Sequence, residues 1–220
     1  FNMYHGTDLR TTIDGMLVNQ RSHAHGQGWT DVGFLIPELS TLLDYRKGPF
    51  FASEGDFASA GAVNVKYANT LPQGIASIGV GQNGFARTLL ADSPAFGAGR
   101  VLYALELLNN DGPFTLGDGY QKRNGVLRYS QGTEANGFNA TLMAFDAQWR
   151  ATDQIPQRAV ASGTLGRFDA IDPTDGGQSS RYSLSGGWRR SSGTESTQIN
   201  ASVVRSRLDL FSNFTYFMDD

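Results

Sequence analysis

Few side chains in this sequence could do chemistry, and most of those sit near its start. His5, His23 and His25 are the only histidines, with Asp8, Gln20, Arg21, Gln27 and Trp29 among them. On an extended segment His23 and His25 point the same way, so two imidazoles and the Asp8 carboxylate could hold a transition metal. The same groups could equally tie down a Gly-rich loop by hydrogen bonding. A third use is ligand contact: Tyr4, His5, Asp8, Gln20, His23, His25, Gln27 and Trp29 combine aromatic faces with amide and carboxylate groups, which suits a sugar or another polar organic molecule. No metal or other cofactor is assigned. Glu54 and Asp56 form a close carboxylate pair, the spacing used in general acid/base work, but they stand in a Gly-containing bend. The chain has no Cys, no Gly-x-Ser-x-Gly elbow and no zinc-helix motif, so an enzyme is not expected.

The composition sets the frame for these residues. Among 220 residues there are 27 glycines, 11% aromatics and only 18% charged side chains. Low charge with a mean hydropathy of −0.32 means that Ser, Thr, Asn, Gln and Gly supply the polarity. That mixture fits water-facing barrel interiors and long turns. A net charge of −3 offers no basic footprint for nucleic acid. Without cysteine there is neither a disulfide framework nor a thiolate metal site. No apolar run reaches the length of a membrane helix, which leaves membrane strands open, since a strand crosses with about ten alternating residues. The opening residues lack a basic region followed by an apolar stretch, so no signal peptide is expected there.

Two kinds of sequence meet near residue 57. Residues 1–57 read as a mixed α/β unit. Thr11 to Val18 is a strand turned at Asp14-Gly15, and Asp31 to Leu43 is a helix or turn-helix segment with Pro37 at a first helical position. Leu42 to Arg46 is a strand ended by Gly48-Pro49. From residue 58 the period becomes two. Extended segments are expected near 60–69, 74–90, 99–113, 120–132, 137–155, 178–191 and 196–217, seven in all. In them Tyr182, Leu184, Gly186 and Trp188 oppose Arg181, Ser183 and Ser185, and Val101, Tyr103, Leu105 and Leu107 oppose Arg100 and Glu106. Met143, Phe145, Ala147 and Trp149 are read as the lipid-facing series of their strand, with Asp146 on the lumen side. A β-bulge at Val203-Val204 would restore the phase of the last strand. Links alternate between brief, at 91–98, 132–137 and 191–196, and long, at 154–178, as the two ends of an outer-membrane barrel require. Tyr129, Trp149, Trp188, Tyr216 and Phe217 lie toward strand ends, where aromatic girdles form.

The junction itself is the most specific motif. Arg46, Lys47, Gly48 and Pro49 are followed by Gly55, then by Ala60, Gly61, Ala62, Val63, Asn64 and Val65, with Ile13-Asp14-Gly15 upstream. This pattern resembles the end of the plug and the first barrel strand of TonB-dependent outer-membrane receptors. The resemblance implies a transmembrane antiparallel β-barrel, mostly β and here about seven strands of it. Residues 1–57 would be the last part of a small α/β plug inside it, and residues 58–220 the opening portion of the wall. It further implies uptake of a siderophore, carbohydrate or similar polar ligand across the bacterial outer membrane, with the TonB–ExbB–ExbD complex and outer-membrane lipids as partners. The plug-apex residues would meet the ligand from below. The family carries Arg where this chain has Lys47, and lysine lacks the bidentate fork. Glu106 and Asp146 are the lumen partners expected for Arg46 and Lys47. A passive porin or autotransporter-type barrel is the alternative, and a soluble β-sandwich adhesin or lectin a third class, in which Met143, Phe145, Tyr182 and Trp188 would all face a protein core.

Overall fold

The computed structural model describes residues 7–23 and 26–213. Its first unit is a four-stranded sheet in the order β2-β1-β4-β3. Strands β1 (Leu9–Ile13) and β2 (Met16–Leu17) form a hairpin about Asp14-Gly15. Both turn residues take positive φ, 49° and 82°, a conformation that Asp tolerates and Gly adopts freely. A single 3₁₀ turn, Pro37–Leu39, carries Pro at its start and leads into β3 (Ser40–Lys47). A second, Ala52–Glu54, precedes β4 (Gly61–Tyr67). Strand β4 runs parallel to β1 and antiparallel to β3.

That placement corrects the sequence reading. The segment expected to open the wall is the central strand of the small sheet, so the division between sheets falls after Tyr67 and not at residue 57. Its residues do alternate: Val65 and Tyr67 are buried and Lys66 is exposed. A period of two identifies a strand with one buried face but not which sheet buries it.

The second unit is one antiparallel sheet: β5 (Ile75–Val80), β6 (Ala86–Asp92), the short β7 (Ala95–Phe96), β8 (Gly99–Asn110), β9 (Tyr120–Gly132), β10 (Asn136–Arg150), β11 (Gly176–Ser192) and β12 (Glu195–Phe211). The sheet is open, with β5 and β12 as its edges, and does not close into a barrel. The single segment expected over 74–90 is two strands. Asn83 and Gly84, both at positive φ, turn the chain between them. No bulge interrupts β12, whose register against β11 runs unbroken from Glu195 to Phe211. Short links at 93–98, 133–135 and 193–194 share one end of the sheet. Longer ones at 111–119 and 151–175 share the other, the latter holding the one-turn helix α1 (Gln157–Ala161).

The outer face of the large sheet is apolar yet exposed. Reading across strands in register, Tyr103, Leu127, Leu142, Leu184 and Val203 form one row and Phe138, Trp188 and Ile199 another nearer the short turns. Leu105 is 60% and Leu184 57% exposed, values that no globular core strand would show. Phe96, Tyr129 and Phe138 pack as a chain of rings at the short-turn rim, with centroids 6.4 and 5.8 Å apart. Toward the long links the same face turns polar: Arg123, Asp146 and Arg207, then Gln121, Gln148 and Asp209. Trp149, expected in a girdle, lies on the opposite face against Gly177, and Tyr216 and Phe217 fall outside the described residues.

The inner face carries the small sheet. One core unites Ile13, Met16, Val18, Phe34, Ile36, Leu39, Val65 and Tyr67 of the first unit with Leu89, Leu102, Ala104, Val126, Met143 and Phe145 of the second. Met143, Phe145 and Ala147 therefore point inward, at 2–3% exposure, and not toward lipid. Up to Ala144 both alternating series of β10 carry apolar residues, because one meets the first unit and the other the outside. Tyr182 and Trp188 do face outward, as expected, at 49% and 40% exposure.

Candidate functional site: the seam between the two sheets

The junction motif folds as a self-contained knot. Gly61, at φ 152°, lies so close to β3 that a Cβ there would collide with the Arg46 carbonyl oxygen. Gly48 and Gly55 take φ of 85° and 68° on either side of the Pro49 loop. Asn64 accepts a hydrogen bond from the Thr12 hydroxyl at 2.5 Å, and its amide donates to Glu54 at 3.5 Å. Glu54, 9% exposed, receives Arg46 at 3.0 Å and Arg10 at 3.7 Å, while Asp44 takes the Arg46 Nε at 3.1 Å. Asp56 pairs with Arg21 at 2.8 Å. The carboxylate pair thus neutralises local arginines and is not set up for acid/base work. Lys47 is exposed.

Arg46 consequently does not reach the wall. Its carboxylates come from its own unit, and Glu106, the partner expected for it, is occupied elsewhere: Arg87 Nε lies 2.6 Å and Lys122 Nζ 2.8 Å from its carboxylate, which is 1% exposed. Arg87 also spans to Glu38, just outside the small sheet, with its two Nη atoms at 2.6 and 2.9 Å. Asp146 is on the outer face, across from Arg123, beyond the apolar rows. The period assigned Glu106 to the inner face correctly. It misassigned Asp146 because Asp146 and Gln148, at the polar end of the outer face, share the phase of Phe138 and Leu142, while the core-facing Met143, Phe145 and Ala147 are apolar.

Two ion networks therefore cross the seam. One is Glu38–Arg87–Glu106–Lys122. The other centres on Arg128 of β9, 3% exposed, whose Nη1 meets Asp14 at 2.6 Å and Thr141 at 3.1 Å and whose Nε donates to Asn69 at 2.9 Å. Asp14 sits in the β1–β2 turn and Asn69 in the link between the sheets, so Arg128 clamps both to the large sheet. Asn124 of β9 adds a neutral contact, donating to the Phe34 carbonyl at 2.7 Å. The buried Tyr67 hydroxyl accepts the Ile36 N–H at 2.9 Å, and burial, outweighing that bond, holds its proton well above the ordinary tyrosine range. The Glu38 carboxyl is held below its ordinary value, first by the Arg87 hydrogen bonds. Arg87, Glu38, Lys122 and Arg128 carried no sequence motif. Their signal was only that each is a charged residue on the inward phase of, or just before, an alternating segment.

At the short-turn end the seam opens into a cleft of about 990 Å³. Asp14, Thr41, Asn64 and Lys66 line one side, and Arg100, Arg128, Ser130 and Arg189 the other. A polar cleft that water can enter beside a buried ion network is a place where the two sheets can part without exposing much apolar core.

The proposed plug-apex residues are brought together only in part. Tyr4, His5 and His25 lie outside the described residues. Gln20 and Trp29 pair across a tight loop, and the His23 imidazole stacks on the Trp29 indole, 5.2 Å between centroids and 9° from parallel. Asn19, unremarked in sequence, ties this loop down: its carbonyl accepts the Thr11 N–H at 2.7 Å and its amide donates to the Leu9 and Gly28 carbonyls. Asp8 accepts the Ser59 hydroxyl at 2.5 Å, and Gln27 is exposed. Among the described residues no three His, Asp or Glu side chains are grouped to hold a metal.

No family model and no curated protein sequence matches the chain. Solved structures do. The siderophore receptor PiuA from Acinetobacter baumannii superposes with a TM-score of 0.69 at 13% identity, over 93% of this chain and 30% of that one. The ferric-catecholate import receptor Fiu from E. coli K12, in an open form, superposes with a TM-score of 0.59 at 17% identity, over 93% and 32%. The resemblance to TonB-dependent receptors carried by the junction motif is thereby met in the fold. The chain spans about a third of the length of these receptors.

Proposed function

We propose that this chain is the plug and the opening wall of a TonB-dependent receptor that takes up a siderophore or another small polar ligand across the bacterial outer membrane. What carries the reading is the pair of faces on the large sheet: apolar and exposed outside, ion-paired to a small sheet inside. A β-sandwich would bury one series and carry polar residues on the other, exposed one, whereas here the exposed series is apolar; a passive porin would have a watery lumen with no second sheet in it. The plug would comprise the small sheet and its link to about residue 69, and the wall would begin at β5. The outer rows would meet lipid, and the short turns would face the periplasm. Ligand would approach from the long-link end, where the loop holding Gln20, His23, Gln27 and Trp29 joins Tyr4, His5, Asp8 and His25 as its first contacts. The TonB–ExbB–ExbD complex would then work the plug loose along the seam, and the polar cleft would be the exit. Movement of a ligand, not bond chemistry, is the task.

The test is a conductance recording of the whole receptor in a planar bilayer. A plugged receptor stays nearly silent and opens in urea as the small unit leaves the wall, and Asp14→Asn lowers the urea needed. Steady ohmic conductance without urea would overturn the reading in favour of a porin.

A further inference from the structure

Every charged residue discussed above on the inner face has a partner; Arg181 of β11 differs. It is 5% exposed, and among the described residues neither its Nε nor its Nη2 meets an acceptor. These two nitrogens form one edge of the guanidinium, so their N–H bonds are parallel and constitute the side-on fork that grips two oxygens of a planar or tetrahedral oxyanion. Ser183, two residues along on the same face and 3% exposed, has an unpartnered hydroxyl as well. The Phe34 ring covers the guanidinium with its centroid 4.6 Å from Cζ, which fixes the plane of the fork. Asp31 is near enough to act on Arg181 electrostatically, but its Oδ1 accepts the Gly33 N–H at 2.7 Å. On the other side Ser206 of β12, in register with Arg181, is exposed, so solvent reaches the rim.

A buried guanidinium with an idle fork is costly, and it persists where something completes it. We propose that Arg181 and Ser183 form a binding site for an oxyanion, a carboxylate or a phosphate group, at the seam between the sheets. The fork supplies two charge-assisted hydrogen bonds, Ser183 Oγ a third, and Phe34 excludes water from one side. The site stands whether or not the protein transports anything, because it is a matter of equilibrium binding.

The experiment titrates the purified whole protein in detergent with sodium acetate and, separately, with inorganic phosphate, holding ionic strength constant with chloride and following Tm. The site predicts a saturable rise with at least one anion; acetate alone identifies a carboxylate site, phosphate alone a phosphate site. Arg181→Lys keeps the charge and loses the fork, and weakens the response about tenfold. Arg181→Leu abolishes the response and, without anion, unfolds no lower than the parent, since an uncompensated buried charge has gone. Asp31→Asn leaves the response in place. No saturable rise with either anion overturns the proposal. So does an Arg181→Leu protein that still responds, or a saturable rise that appears only once Asp31→Asn is introduced, because Asp31 is then the partner of the fork.

Discussion

The Asp14–Arg128 contact makes the strongest quantitative claim about the seam. Asp14→Asn keeps the shape and an acceptor but removes the charge opposite a guanidinium that is 3% exposed. Breaking a fully buried pair costs about 3–5 kcal/mol. Here the cost is smaller, because Asp14 is 16% exposed and Arg128 keeps Asn69 and Thr141. A hydrogen bond to a charged group contributes about 1.5–3 kcal/mol, which sets the expected loss. The chain has no cysteine, so a single thiol can report on the seam. Ala104→Cys places it on β8 under the small sheet, at a position 0% exposed. Where reclosing outpaces labelling, the rate follows the opening equilibrium, and 1.4 kcal/mol is tenfold. Asp14→Asn should therefore raise the labelling rate about ten- to a hundredfold, with weak dependence on salt because the pair is sheltered. Arg207→Gln, which breaks an exposed pair with Asp209 at the far edge, should leave it unchanged. A rate for Asp14→Asn within twofold of the parent would refute the claim that this clamp holds the small sheet down.

Other outcomes follow from the same geometry. Glu38 has a folded value depressed below its ordinary 4.5, so its pairing with Arg87 stabilises the seam above that pH and is lost as the pH falls through the depressed value; the urea needed to unfold the protein should fall on acidification, and by less in Glu38→Gln. Gly61→Ala combines a disfavoured φ with collision against the Arg46 carbonyl and should cost about 1–3 kcal/mol in urea unfolding. Tyr67→Phe strands the buried Ile36 N–H and should cost about 1–3 kcal/mol by the same measurement. Leu184→Lys, in the apolar rows, should cost about 2–4 kcal/mol in lipid vesicles, whereas Gln178→Lys on the polar part of the same face should cost at most about 1 kcal/mol.

How much of this was legible in the sequence depended on whether a strand shows one pattern or two. Strand β11 separates polar from apolar by position, and in β8 Arg100 and Glu106 mark the inward phase that Leu102 and Ala104 share; both were assigned to the correct faces. Strand β10 touches a protein core on one side and an apolar row on the other, so its two series look alike and the phase was inverted. The glycines at 79, 81 and 84 hid a hairpin inside one apparent strand. That missed strand offset the loss of β4 to the small sheet, and the parity of short and long links came out right with two errors in it. In the site, the junction motif marked a structural knot, legible because glycine at positive φ and Asn64 have few substitutes. The networks of Arg87 and Arg128 were not legible, since ion pairs between residues 49 and 114 positions apart leave no local spacing.

The apolar rows do not sit midway along the strands. From Tyr182 to Gly176 the outward residues of β11 are polar or Gly, as they are from Arg205 to Asp209 on β12. Six residues of strand amount to about 20 Å, or some 14 Å of height at a 45° tilt. On the uptake reading, this palisade stands above the headgroups before the 151–175 loop even begins, so an incoming cargo meets a rigid paired rim well clear of the lipid, and loop sequence can vary without moving the gate.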